Sequence, residues 1–285
     1  LSGIVLGTIR LYQRTTFDMF HEFKKVVTSR PAIIVFIFLL TVLLLSPMLR
    51  NDFVGDDFTW FRWAAQSGVS QWYRPFIDAA GFFYRPGAKL YFLLMYSAFW
   101  LNQTVFHFVS LLLHSIVASL VFLLAKKVFR NLFLSVVTAL LFLILSGYSE
   151  AVYWISATGF LFTASFSLAS LLFYISWEEK KKKAYVIASF VCMVLSMVFH
   201  ELGIVTPLLI LLYKSIFLKT VRLPKIFLFP IPLYLIVRFL ARSHWLSGDY
   251  HYNFFKLPFN AVGNAFGYVS LTLLGPIAMP LNIAL

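Results

Sequence analysis

Eight stretches of the chain are too apolar over too many residues for a water-exposed domain to hide: 31–49, 104–125, 132–147, 159–177, 184–199, 202–218, 226–241 and 262–285. The hydrocarbon core of a bilayer is about 30 Å thick, and roughly 20 apolar residues of helix cross it. In lipid a backbone must satisfy its own polar groups, which leaves helices as the form such runs can take. The expected fold is therefore all-α, a polytopic transmembrane protein with about 8 spans. Composition agrees, since 61% of the residues are hydrophobic and 12% charged, against about 25% charged in a soluble domain.

The net charge of +13 raises the question of nucleic acid, but the basic residues flank the apolar runs instead of lining one polar face. No nucleic-acid partner is expected; the positive-inside rule accounts for the charge. With the N-terminus cytoplasmic, the inner segments hold Arg10, Arg14, Lys24, Lys25, Arg30, Lys126, Lys127, Arg130, Lys180 to Lys183, Lys214, Lys219, Arg222 and Lys225. The acids run the other way: Asp52, Asp56, Asp57, Asp78, Glu150, Glu201 and Asp249 fall outside, and the outer segments 147–158 and 200–202 contain no Lys or Arg. Acids without bases beside them look placed for a task.

Residues 1–30 form a cytoplasmic segment in which Phe17, Phe20, Phe23 and Val27 recur at helical spacing, with Thr15 and Asp18 as a capping pair. That pattern predicts a helix over 15–27 lying on the inner leaflet. Residues 31–285 read as one transmembrane domain with a long first outer loop, 50–103. The chain begins at Leu1 and stops at Leu285 within an apolar run, which predicts a piece of a longer protein. The single cysteine, Cys192, lies in an apolar run and offers neither a disulfide nor a thiolate cluster.

The chemistry gathers in the outer segments. Phe58, Trp60, Phe61, Trp63 and Trp72 make the first loop aromatic, as in short helices lying in a membrane interface. Residues 87–100 read as a further helix, interfacial or packed without crossing. Asp56 and Asp57 follow Gly55 directly after the first run. Adjacent carboxylates can raise one another's pKa or hold a divalent metal cation through oxygen ligands; the plain alternative is a solvated turn or helix cap. Arg85 in Tyr84-Arg85-Pro86, and Arg74 in the parallel Tyr73-Arg74-Pro75, carry guanidinium forks suited to phosphate, or else snorkel to lipid headgroups. Glu150 and Trp154 follow the third run, His200-Glu201 lies at the tight turn between the fifth and sixth, and Arg238 lies near the outer end of the seventh. Ionisable groups at membrane depth are functional candidates by default, with a turn at the water interface as the alternative for His200-Glu201. His107 and His114, seven apart on one face of the second run, read as packing residues.

Four blocks in this order resemble GT-C membrane glycosyltransferases. FVGDDF after the first run resembles that family's acid motif. The stretch opening FYRPGAKLYFLLMYSAFW, leading into the two histidines, resembles its arginine-bearing loop and second span. SEAVYWISATGFLF and FHELGIVTPLLILLY are similar to its later outer blocks. The similarity covers about residues 50–215 and is nearest to the tetratricopeptide-containing transmembrane O-mannosyltransferases and their prokaryotic relatives. Gly55 and His200 depart from the family pattern, which commonly has a bulky residue and a lysine there.

The resemblance implies an inverting transferase that moves a sugar from a polyprenyl-phosphate carrier to a protein or glycan hydroxyl. It further implies a site on the outer face of a prokaryotic inner membrane. It makes Asp56 the general base and Asp57 the residue that positions the acceptor or a metal. Arg85, with Arg74 and Arg238, faces the donor phosphate, and Tyr84, Glu150, Trp154, His200 and Glu201 bind substrate. Two other readings remain open on the residues alone. A carrier or flippase for lipid-linked sugar also needs polar groups near apolar spans, but favours charges at mid-membrane depth and broken helices. A non-catalytic membrane scaffold asks for nothing beyond the spans.

Overall fold

A computed structural model of the chain describes residues 29–79, 83–145, 147, 149–222, 224–243 and 255–274. The expected interfacial helix over 15–27, Asp249 and the end of the last apolar run lie outside them. Among the described residues the fold is all-helical, with no strand. Among the described residues three helical stretches are long and apolar enough to cross a membrane: Arg30–Arg50, Gln103–Phe129 and Ile155–Lys180. Where they are described, the other apolar runs fold as shorter helices.

The helices start and stop where local chemistry allows. Helix α1 (Arg30–Leu45) is opened by Ser29, whose hydroxyl accepts from Ala32 N–H, with Pro31 in the first turn. It continues as a 3₁₀ turn, Ser46–Arg50. In the first loop, α2 (Asp57–Gln66) buries Asp57, Trp60, Phe61 and Ala64, one face at helical spacing. Helix α3 (Pro86–Phe99) receives that face; Trp60 stacks on Phe92 at 5.1 Å and Phe61 meets Phe106 edge-on at the same distance.

Helix α4 (Gln103–Phe129) begins at an Asn102 cap and ends where Arg130 turns left-handed at φ +53°. Asn131 then caps α5 (Leu132–Ile144). Ile33, Ile37, Ala118, Phe122, Ala139 and Leu143 form the common core of α1, α4 and α5. The two histidines of α4 pack as expected, with ring nitrogens 3.1 Å from Asn51 O and 3.4 Å from Leu143 O.

Helix α6 (Thr158–Lys180) and α7 (Lys183–Phe199) form an antiparallel pair joined by two residues. Hydroxyls seam them together. Ser170 Oγ donates to Ser189 O at 2.7 Å and Ser189 Oγ returns the bond to Ser170 O at 2.8 Å. Thr163 donates to Ser196 O, and both Ser167 and Ser196 meet Thr206 of α8 (Thr206–Phe217). Small residues and hydroxyl bonds hold the pair, the means that serve where the hydrophobic effect between helices supplies little. The outward surface is apolar instead, with Leu43 and Phe133 more than 70% exposed, as a bilayer-facing surface requires. Two further helices follow, α9 (Pro230–Leu240) and α10 (Leu257–Leu274), and short helical turns occupy Arg74–Ile77 and Ser149–Tyr153.

The turn from α7 into α8 leaves no slack. A Cβ on Gly203 would lie 2.3 Å from the backbone nitrogen of Met197. Gly203→Ala therefore should destabilise the protein by about 3 kcal/mol or more, read as a fall in unfolding temperature in detergent. Gly68→Ala, where the nearest atom is the Ser70 hydroxyl at 3.4 Å, should leave it unchanged.

Candidate functional site

One end of the bundle collects the first loop, the start of α6 and the turn after α7. Gly55 sits at φ +54°, a conformation that favours glycine, and turns the chain so that Asp56 and Asp57 open α2. The two acids then part. Asp57 is only 1% exposed. Its Oδ1 accepts from Ser156 N–H at 2.7 Å and from Ser156 Oγ at 2.5 Å, and its Oδ2 accepts from Val54 N–H at 2.9 Å. Asp57 thus ties the first loop to the entrance of α6, and its oxygens are not open to an acceptor or a metal. Among the described residues no group of three or more His, Cys, Asp or Glu side chains could hold a metal ion, and with Asp57 engaged only the Asp56 carboxylate of the pair faces open space.

Asp56 is exposed and makes no capping bond. It lines a cavity of about 330 Å³ together with Arg85, Trp60, Phe83, Trp154 and Phe160. Arg85 also forms a two-point ion pair: Nε and Nη2 donate to the two carboxylate oxygens of Glu201 at 2.8 and 2.7 Å. Its guanidinium lies 4.4 Å from the centre of the Phe83 ring. The pairing holds the Glu201 carboxyl down at about 2, against its burial, which alone would raise it.

His200 ends α7 and is buried, its ring 4.2 Å from that of Phe160. Its Nδ1 accepts from Leu202 N–H at 3.2 Å. Burial first, and the Arg85 charge second, lower its pKa to about 4, with Glu201 opposing. An unfolded histidine titrates near 6.5, so between about 6.5 and about 4 the unfolded chain binds the extra proton. Stability should then fall as pH drops through that window. Glu201 stays ionised throughout it. The unfolding temperature is expected to decline between pH 7 and 5 in the native protein and to flatten in His200→Asn; an equal slope in both would remove His200 as the cause.

The remaining candidates disperse. Tyr84 is buried; its hydroxyl donates to Phe76 O and its carbonyl accepts from Tyr234. Tyr84 therefore anchors the loop beside Arg85 and does not line the cavity. Tyr234 lies within electrostatic reach of Glu201, Arg85 and Arg238, which places Arg238 near this end but off the cavity wall. Arg74 is exposed at the start of the helical turn Arg74–Ile77 and is not brought to the cavity. Glu150 lines a second, larger cavity of about 620 Å³ with Arg50, Asp52 and Tyr153. Trp154 borders both cavities, its indole N–H donating to Val54 O at 3.3 Å.

Ser156 and the ring walls Phe83 and Phe160 escaped the sequence reading. Their signal was proximity: Phe83 precedes Tyr84-Arg85, and Ser156 follows Trp154 by two residues. No protein-family model, curated protein or solved structure matches the chain.

Proposed function

We propose that the chain is a polytopic membrane glycosyltransferase of the inverting, polyprenyl-phosphate-dependent kind, working on the outer face of a prokaryotic cell membrane. The observation that carries this reading is the shared cavity: an unengaged carboxylate, Asp56, and a guanidinium, Arg85, border one space walled by aromatic rings. Its volume lies near the low end of the roughly 300–1,000 Å³ usual for small-molecule sites.

The chemistry follows from that pair. The acceptor hydroxyl attacks the anomeric carbon as its proton passes to the Asp56 carboxylate. The bond between that carbon and the lipid phosphate oxygen breaks, and the phosphate departs with the electron pair. Attack opposite the leaving group inverts the centre. Arg85 matches the charge that develops on the phosphate, using the Nη1 edge that Glu201 leaves over. Glu201 fixes the guanidinium plane, and His200 packs the turn that presents Glu201. Trp154, Trp60 and Phe83 offer flat faces to a sugar ring, while the larger cavity beside Glu150 receives the acceptor. Arg74 and Arg238 take no phosphate role in this assignment.

The crossing count of about eight belongs to the same proposal. Helices α5 and α7 have 13 and 17 residues, hence roughly 20 and 26 Å of length, and cross with their flanking turns.

The test uses the full chain in proteoliposomes with polyprenyl-phosphate sugar, labelled in the sugar, and a membrane acceptor fraction. Label should move to the acceptor as free polyprenyl phosphate accumulates in equal amount. Label that changes leaflet while still on its carrier would establish a transporter instead. Neither event would leave the scaffold reading.

A further inference from the structure

At the opposite end of the bundle from Asp56, the inner ends of α4 and α6 and the first residues of α1 and α7 enclose a second kind of space. This groove of about 260 Å³ has walls of Leu120, Leu123 and Phe173 and a rim of Arg30, Lys126 and Lys127. Apolar walls beneath a cationic rim are the two halves of a phospholipid's recognition chemistry. Lys127 is already balanced by Glu179, 2.5 Å away; among the described residues no acid pairs with Arg30 or Lys126, which carry the rim's remaining charge. Guanidinium grips phosphate oxygens as a fork and ammonium adds a point charge. Ser176 and Tyr185 also line the groove, the Ser176 hydroxyl donating to Leu172 O and the Tyr185 hydroxyl accepting from Lys180.

The groove's setting names its occupant. Its walls belong to two of the helices long and apolar enough to cross a membrane, so an acyl chain can enter sideways from lipid. Its volume suits a glycerophosphate and the upper part of one chain, with the remainder lying in the bilayer. Basic pockets between membrane helices at the inner face are a recurrent form of anionic-lipid site. We infer that this groove is a binding site for an anionic glycerophospholipid, with the phosphate between Arg30 and Lys126 and one acyl chain against Leu120, Leu123 and Phe173. The inference does not depend on the transferase reading.

Delipidated full chain in neutral detergent is titrated with dioleoyl phosphatidylglycerol, dioleoyl phosphatidylcholine and inorganic phosphate, and bound lipid is counted by native mass spectrometry. Phosphatidylglycerol should be retained in preference to phosphatidylcholine. Arg30→Gln with Lys126→Gln should weaken phosphatidylglycerol by about 25-fold, roughly 5-fold for each charge, and leave phosphatidylcholine unchanged. Lys182→Gln with Lys183→Gln, which removes the same charge from the exposed end of the α6–α7 link and the first residue of α7, should change neither. Ala169→Phe keeps every charge but fills the groove that Ala169 lines, and should also weaken phosphatidylglycerol. Equal retention of the two lipids, or equal losses from both charge pairs, would overturn the site. So would displacement by inorganic phosphate together with an inert Ala169→Phe, since that marks a bare anion contact.

Discussion

Asp56→Asn should lower sugar transfer by about 10²–10⁴-fold while the protein inserts and unfolds like the native one. Asp56 is exposed at the head of α2 and caps nothing with its side chain, so the amide costs little stability; it cannot accept the acceptor's proton. The neighbouring substitution should do the reverse. Asp57→Asn places an amide NH₂ against one of three donors that now point at a carboxylate. Charge-assisted bonds of that kind are worth about 1.5–3 kcal/mol each, so Asp57→Asn should lower the unfolding temperature sharply. Parallel measurement of transfer and thermal unfolding separates the two. Native-like turnover in Asp56→Asn would end its assignment as base.

Arg85→Ala should damage both properties at once. It strands the Glu201 carboxylate, which is about a quarter exposed, at a cost of about 1.5–3 kcal/mol. It also removes the cation proposed to face the departing phosphate, an expected loss of about 10²–10³-fold in transfer by analogy with other preorganised donors. The swapped pair, Arg85→Glu with Glu201→Arg, tells the two effects apart. Restored ion pairing should recover the unfolding temperature without recovering transfer, because the cation then stands on the turn after α7. Recovery of both would make Arg85 a structural residue only.

Much of this architecture was legible beforehand, and the reason is composition. The runs 104–125, 159–177 and 184–199 lie inside helices of nearly the same extent, because unbroken apolar sequence has few other ways to satisfy its backbone. The runs 202–218 and 226–241 were less well drawn. Each is interrupted by a 3₁₀ turn, and Pro207 and Pro230 set the α-helices to start late. Gathering of Asp56, Arg85 and Trp154 at one end could be inferred from the order of segments and the bias of charges. Their partners could not. Arg85 and Glu201 are 116 positions apart and Asp57 and Ser156 are 99 apart, separations that leave no periodic trace. The difference between Asp56 and Asp57 was equally hidden, since adjacent identical residues carry identical local information and only packing divides them.

Those long separations also govern when the site can exist during synthesis. A nascent chain that has inserted its first 199 residues already holds Asp56, Arg85 and the Asp57–Ser156 tie, yet lacks the carboxylate that orients the guanidinium. Arg85 is held in place only when residues 200–206 emerge, bringing Glu201 to its guanidinium and Thr206 to the hydroxyls of Ser167 and Ser196. On the proposed reading, a partly made chain is thus anchored in the bilayer well before its arginine is oriented for transfer.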